Sequence, residues 1–121
     1  MALDHVTLPT RQFDATVEFL SQVLEFPEIE SPSDVSMRAC WFEVGDGQAI
    51  HVLEIERAPD TQAEREFGRH VAFRFPHARW LRLKSQLERH SIEIIPPRRP
   101  SSTSRFFICD PNGYCFEFIM Q

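Results

Sequence analysis

Hydrophobic and polar positions along this chain fall into two similar series. In the first, Phe13, Val17, Leu20 and Leu24 stand at i, i+4, i+7 and i+11, one apolar stripe that predicts a helix. In the second, Trp80, Leu83 and Leu87 repeat that spacing just after Pro76. Around the helices, apolar residues alternate with period two, which predicts strands. "GDG" and "DPNG" carry turn chemistry, so each series is expected to end in a β-hairpin. The predicted order is strand, helix and three strands, performed twice.

The two series align residue by residue. "LDHVTLPTRQFDATVEFLSQVLEFPEIE" has the layout of "GRHVAFRFPHARWLRLKSQLERHSIEII", and "WFEVGDGQAIHVLEI" has that of "FFICDPNGYCFEFIM". His5 and His70 are 65 apart (70−5), the Ser-Gln pairs at 21–22 and 85–86 are 64 apart (85−21), and His51 and Glu117 are 66 apart (117−51). A near-constant offset over the whole chain marks an internal duplication. We read a single domain over 1–121, with module one at 1–57, a polar linker at 58–67 and module two at 68–121. "PPRRPSSTS" reads as a loop ahead of the last hairpin.

With 121 residues, 42% hydrophobic and 26% charged, the chain is large enough for its own core and has the make-up of an ordinary soluble protein. A net charge of −5 argues against nucleic-acid or anionic-membrane partners. "MALDHVTLPTRQ" has no apolar signal core, and no run reaches membrane-spanning length. Three cysteines, Cys40, Cys109 and Cys115, fit free thiols, read as small buried hydrophobes, so a cytoplasmic location is expected.

The duplication gathers four chemically odd residues into one pattern. His5 and His70 hold the same place on the first strand of each half; His51 and Glu117 hold the same place on the last, four residues after the hairpin glycines Gly47 and Gly113. Glu117 stands between Phe116 and Phe118, where an unpaired carboxylate costs several kcal/mol. If the halves are related by a pseudo-twofold axis, the four side chains can converge. Three imidazoles and a carboxylate suit a divalent metal ion such as zinc, nickel, iron or manganese. The plainer alternatives are hydrogen-bonded histidines, and Glu117 paired with Arg38 or Arg105. His77 and His90 have no counterparts in the first half and read as surface residues.

These stretches resemble the vicinal oxygen chelate superfamily of glyoxalases, extradiol dioxygenases and bleomycin- and fosfomycin-resistance proteins, in the pattern of the small glyoxalase-like members. The carriers are "LDHVTL", "GDGQAIHVLE", "RHVAFRF" and, most specifically, "RFFICDPNGYCFEF". The resemblance implies an α+β fold, two βαβββ modules forming a curled mixed β-sheet cup with flanking helices. It also implies His5, His51, His70 and Glu117 as metal ligands and a homodimer. Two departures stand out: nickel and zinc glyoxalases are expected to carry Glu where His51 stands, and an arginine where Pro9 stands. His5, His70 and Glu117 alone resemble the ligand triad of extradiol dioxygenases.

The function expected is a metal-dependent lyase or isomerase acting on a small α-hydroxycarbonyl-like substrate through an enediolate, with Glu117 as the catalytic base. The alternatives are an Fe(II) extradiol-type dioxygenase or a non-catalytic small-molecule binding protein; a closed structural zinc site is the bland reading of the same ligands. Trp41, Phe107, Arg98 and Arg99 are weaker substrate-binding candidates; ordinary core aromatics and a solvated basic loop are the favoured readings.

Overall fold

A computed structural model describes residues 1–59 and 65–121. Five of the ten residues expected as linker, 60–64, lie outside the described residues. The chain divides into two compact units, Met1–Pro59 and Asp60–Gln121.

In the first unit β1 (His5–Thr10) leads into α1 (Phe13–Glu18), which continues as a π-helical turn over Phe19–Val23. The short β2 (Glu28–Ile29) precedes the hairpin of β3 (Ala39–Gly45) and β4 (Gln48–Glu54). The sheet order is β1-β4-β3-β2, with β1 parallel to β4 and the other neighbours antiparallel. The hairpin turns on Asp46 and Gly47, both at positive φ (53° and 75°), conformations natural to Asp-Gly.

The helix departs from the regular stripe expected of it. The Leu24 amide donates to the Phe19 carbonyl (3.0 Å), five residues back, so the last turn widens. Two adjacent columns are buried as a result: Phe19 and Leu20, then Val23 and Leu24, while Phe13 and Val17 are only half-buried. This helix packs on β4, and Leu8, Cys40, Phe42, Ile50 and Val52 form one buried sheet face. Thr10 and Thr16 are fully buried at the β1–α1 joint and bonded to each other (3.1 Å), and the Thr16 hydroxyl also reaches the Gln12 carbonyl.

In the second unit β5 (His70–Phe75), α2 (His77–Arg89), β6 (Arg105–Cys109) and β7 (Cys115–Met120) give a sheet of order β5-β7-β6. Trp80, Leu83 and Leu87 form the buried stripe of α2, as their spacing predicts. The Trp80 indole N–H donates to the Phe118 carbonyl (3.0 Å), fastening helix to sheet over Phe106 and Phe118. The strand expected in "SIEII" is reduced to a single bridge, Ile95 to Phe107. Pro96 and Pro97 follow at once; neither has an N–H to donate, so the ladder stops there.

The curled cup is therefore not formed. Among the described residues the strands make two separate mixed sheets, and no ladder joins or closes them. Closure requires edge strands to pair through backbone groups. The edge strand β1 carries Pro9, which has no N–H to offer, and the opposite edge, β2, is two residues long. The flanking helices are as expected.

The duplicated register is visible in both ladders. Thr7 pairs with His51 and Ala72 with Glu117; Trp41 pairs with His51 and Phe107 with Glu117.

Candidate functional site

Strand parity places His5, Thr7, Trp41, Ala49 and His51 on the sheet face away from α1. It places His70, Arg105, Phe107, Cys115 and Glu117 on the corresponding face of the second sheet. The four expected metal ligands are brought together as two pairs, one in each unit. Among the described residues no three His, Cys, Asp or Glu side chains gather closely enough to form a ready-made ion site.

In the first unit the His5 and His51 rings are stacked, centroids 3.9 Å apart, and Trp41 stacks on His51 at 3.5 Å and 7°. His51 is buried; burial, and then the neighbouring His5, lower its pKa from 6.5 against the opposing pull of Asp4. It is therefore held neutral, the form that coordinates metals. His5 is exposed, with Nδ1 2.6 Å from the Asp4 carboxylate.

In the second unit His70 Nδ1 lies 3.2 Å from the Gly68 carbonyl and Nε2 lies 3.1 Å from Glu117 Oε2. A carbonyl only accepts, so Nδ1 carries a proton there. Nε2 then faces a carboxylate oxygen, an arrangement that needs either a shared proton or a cation between two lone pairs. Phe107 meets the His70 ring edge-on at 5.4 Å.

The other oxygen of Glu117 answers the cost of burying this carboxylate. Arg105 Nη1 donates to Oε1 at 2.8 Å, and both side chains are buried. Arg105 Nη2 also reaches Glu66 (3.1 Å) and the Arg99 carbonyl (2.6 Å). The Arg105 pKa is raised by these carboxylates, Glu117 first, over the opposing effect of burial. Glu66 in turn accepts the backbone N–H groups of Arg98 (2.7 Å) and Arg99 (3.4 Å). Burial would raise the Glu66 pKa, but those amides and Arg105 together hold it below the ordinary carboxylate value.

The remaining candidates fall on both sides. Arg38 is exposed, pairs with Asp14 and Glu54 and lies over Phe13. Arg98 and Arg99 act through backbone groups, and both residues are exposed. His77 and His90 are exposed, as expected. Glu66 was legible only as part of a polar linker, since nothing in "ERAPDTQAEREF" signals a partner thirty-nine residues away. A cavity of about 390 Å³ opens beside this network, lined by Arg65, Glu66, Phe67, Ile95, Arg98 and Phe107. A cavity of about 660 Å³ lies along α2 and the Pro-rich loop, beside Trp80, Lys84 and Phe106, and none of the four expected ligands lines it.

The donor chemistry fits a divalent ion. Both first-strand histidines have Nδ1 fixed by an oxygen, which leaves Nε2 as the outward donor, the usual support for a metal-bound imidazole. His70 Nε2 and Glu117 Oε2, 3.1 Å apart as in an ordinary hydrogen bond, are the two donors that would hold an ion in this unit. Arg105 occupies Oε1, so Glu117 offers one oxygen rather than two.

Comparison with known proteins agrees with this fold. A curated Arabidopsis thaliana protein, Glyoxylase I 4, is 26% identical over 96% of this chain and 68% of its own length. The fold is that of a glyoxalase/dioxygenase from Nostoc punctiforme (TM-score 0.83, 20% identity, covering 99% of this chain and 90% of that one). It is also that of a mutant fosfomycin resistance protein, FosX, from Listeria monocytogenes, complexed with Mn(II) and 1S,2S-dihydroxypropylphosphonic acid (TM-score 0.78, 20% identity, covering 98% and 91%). A family model matches residues 2–118, and the chain belongs to the Glyoxalase/Bleomycin resistance protein/Dioxygenase superfamily.

Proposed function

We propose that this protein is a divalent-metal-dependent lyase or isomerase of glyoxalase type, acting on a small substrate with two neighbouring oxygens. The observation that carries this reading is the facing of His70 Nε2 and Glu117 Oε2 at 3.1 Å, with Nδ1 already committed to Gly68. His5 and His51 are the second pair of expected donors, and the FosX complex, which holds Mn(II) and a vicinal diol, supports the substrate class by analogy of fold. A bound divalent ion would supply Lewis-acid stabilisation to the oxyanion that develops on the substrate.

The chain's own residues divide the remaining work. Glu117 is the base that takes a proton from the carbon beside the carbonyl. Arg105 holds Oε1, so Oε2, the oxygen that faces His70, is the one left to act on the substrate. Phe107 and Trp41 back the two histidines with apolar surface.

The test is metal content together with proton exchange. Wild type reloaded with Mn(II), Ni(II) or Zn(II) should hold near-stoichiometric metal and exchange deuterium from solvent into α-hydroxycarbonyl compounds. Glu117→Gln should lose the exchange, and His70→Gln or His51→Ala should lose metal. A wild type that takes up no metal would overturn the enzyme reading. It would favour the second one, a small-molecule binding protein, which rests on Arg105 and His70 already serving both oxygens of Glu117.

A further inference from the structure

We propose that Cys109 and Cys115 form a cross-strand dithiol that hydrogen peroxide converts reversibly to a disulfide. The two residues are direct partners in the β6–β7 ladder, and neither is in a disulfide. Their pairing type follows from the neighbouring bonds. The Asp110 amide donates to the Tyr114 carbonyl (2.9 Å), so 110 and 114 are a hydrogen-bonded pair and 109 and 115, one step along, are not. Phe107 agrees with this phase: both of its backbone groups bond to Ile95 on the other side, at 2.8 Å each. Non-hydrogen-bonded antiparallel partners have Cα atoms about 4.5 Å apart and side chains on one face. That separation lies at the short end of the roughly 4.4–6.8 Å that a disulfide spans.

Access is unequal in a useful way. Cys115 is buried, whereas Cys109 is half-exposed at the hairpin end of β6, so an oxidant meets Cys109 first. Its sulfur attacks one peroxide oxygen, the O–O bond breaks, and Cys109 becomes a sulfenic acid with release of one water. The Cys115 sulfur then attacks the Cys109 sulfur, the S–O bond breaks, a second water leaves and the S–S bond forms. Two thiols and one peroxide thus give one disulfide and two waters. The second step is intramolecular between facing residues, which gives it the advantage of proximity. A bond at the short end of the range is strained and hence readily reduced by thiols. Cys115 is also the β7 partner of His70, so the bond would form beside the candidate site.

The test uses the intact wild-type protein treated with peroxide, then digested with trypsin. No Lys or Arg follows Arg105 before Met120, so one peptide starting at Phe106 contains both cysteines and Met120, while Cys40 lies in another. The expected result is loss of two hydrogens from that peptide, with both sulfurs refusing alkylation until dithiothreitol is added. In Cys115→Ser, Cys109 should instead accumulate oxygen as sulfinic acid. The proposal is overturned if both sulfurs still alkylate once Met120 has become sulfoxide, or if wild-type Cys109 gains oxygens without the loss of two hydrogens.

Discussion

Arg105 and Glu117, on neighbouring strands, form a buried ion pair in which Nη1 stands 2.8 Å from Oε1. Removing the arginine leaves a buried carboxylate with, among the described residues, only His70 to serve it. Arg105→Leu should therefore lower unfolding free energy by about 2 kcal/mol, in the range for a hydrogen bond to a charged group. The double variant Arg105→Leu/Glu117→Leu should recover part of that loss, because it buries no stranded charge. Urea denaturation of the three variants measures both quantities; a double variant less stable than additivity allows would contradict the pairing.

His51 should titrate below 6.5, because burial and the adjacent His5 resist its protonation. A depressed histidine value contributes stability that is complete above 6.5 and is lost as pH falls through the folded value. Trp41→Ala removes the ring stacked on His51 and should move the midpoint upward. Proton NMR titration of the imidazole in both proteins reads the two midpoints directly, and an unchanged midpoint would show that Trp41 does not shield the ring.

Asp110 behaves in the opposite sense to an ordinary surface carboxylate. Burial raises its pKa from 3.8, against hydrogen bonds from Asn112, Tyr114 and Gly113 that lower it. The folded protein thus takes up this proton more readily than the unfolded chain. The resulting stabilisation is present below 3.8 and lost as pH rises through the folded value. The stability difference between wild type and Asp110→Asn should therefore shift in favour of Asn over that interval and be flat above it, which urea midpoints from pH 3 to 7 would show.

Trp80→Phe keeps the aromatic body against Phe106 but removes the N–H that reaches the Phe118 carbonyl. The expected loss is about 1 kcal/mol, read from thermal or urea unfolding. Protection of the β7 amides in hydrogen exchange should fall by a similar factor, since the bond ties α2 to that strand.

Much of the layout was legible because it repeats. The His5/His70 and His51/Glu117 correspondence, found by offset alone, returns as matching ladder partners. The stripe of α2 and both hairpins were written in spacing and turn residues. What the residues did not disclose depends on backbone detail or distant pairing. The π-helical turn after Glu18 buries two adjacent columns, which a 3.6-residue period cannot express. That Glu117 takes Arg105 depends on the β6–β7 ladder, which sets both side chains on one face, a parity that the spacing alone left open. The cup was carried over from resemblance, and ladder closure is a property of strand edges that periodicity leaves open.

The two ladders share one register although the offset between halves is 65 at β1 and β5 and 66 at the hairpins, with 64 inside the helices. A slip of one residue inside a ladder would have turned Glu117 or His51 to the opposite face. The unequal lengths must therefore have been absorbed in the connections, which lie outside the pairing. The strands act as fixed rulers and the joints as adjustable spacers. Either half can be lengthened or trimmed at a joint while its chemically active positions stay on the same side of their sheet.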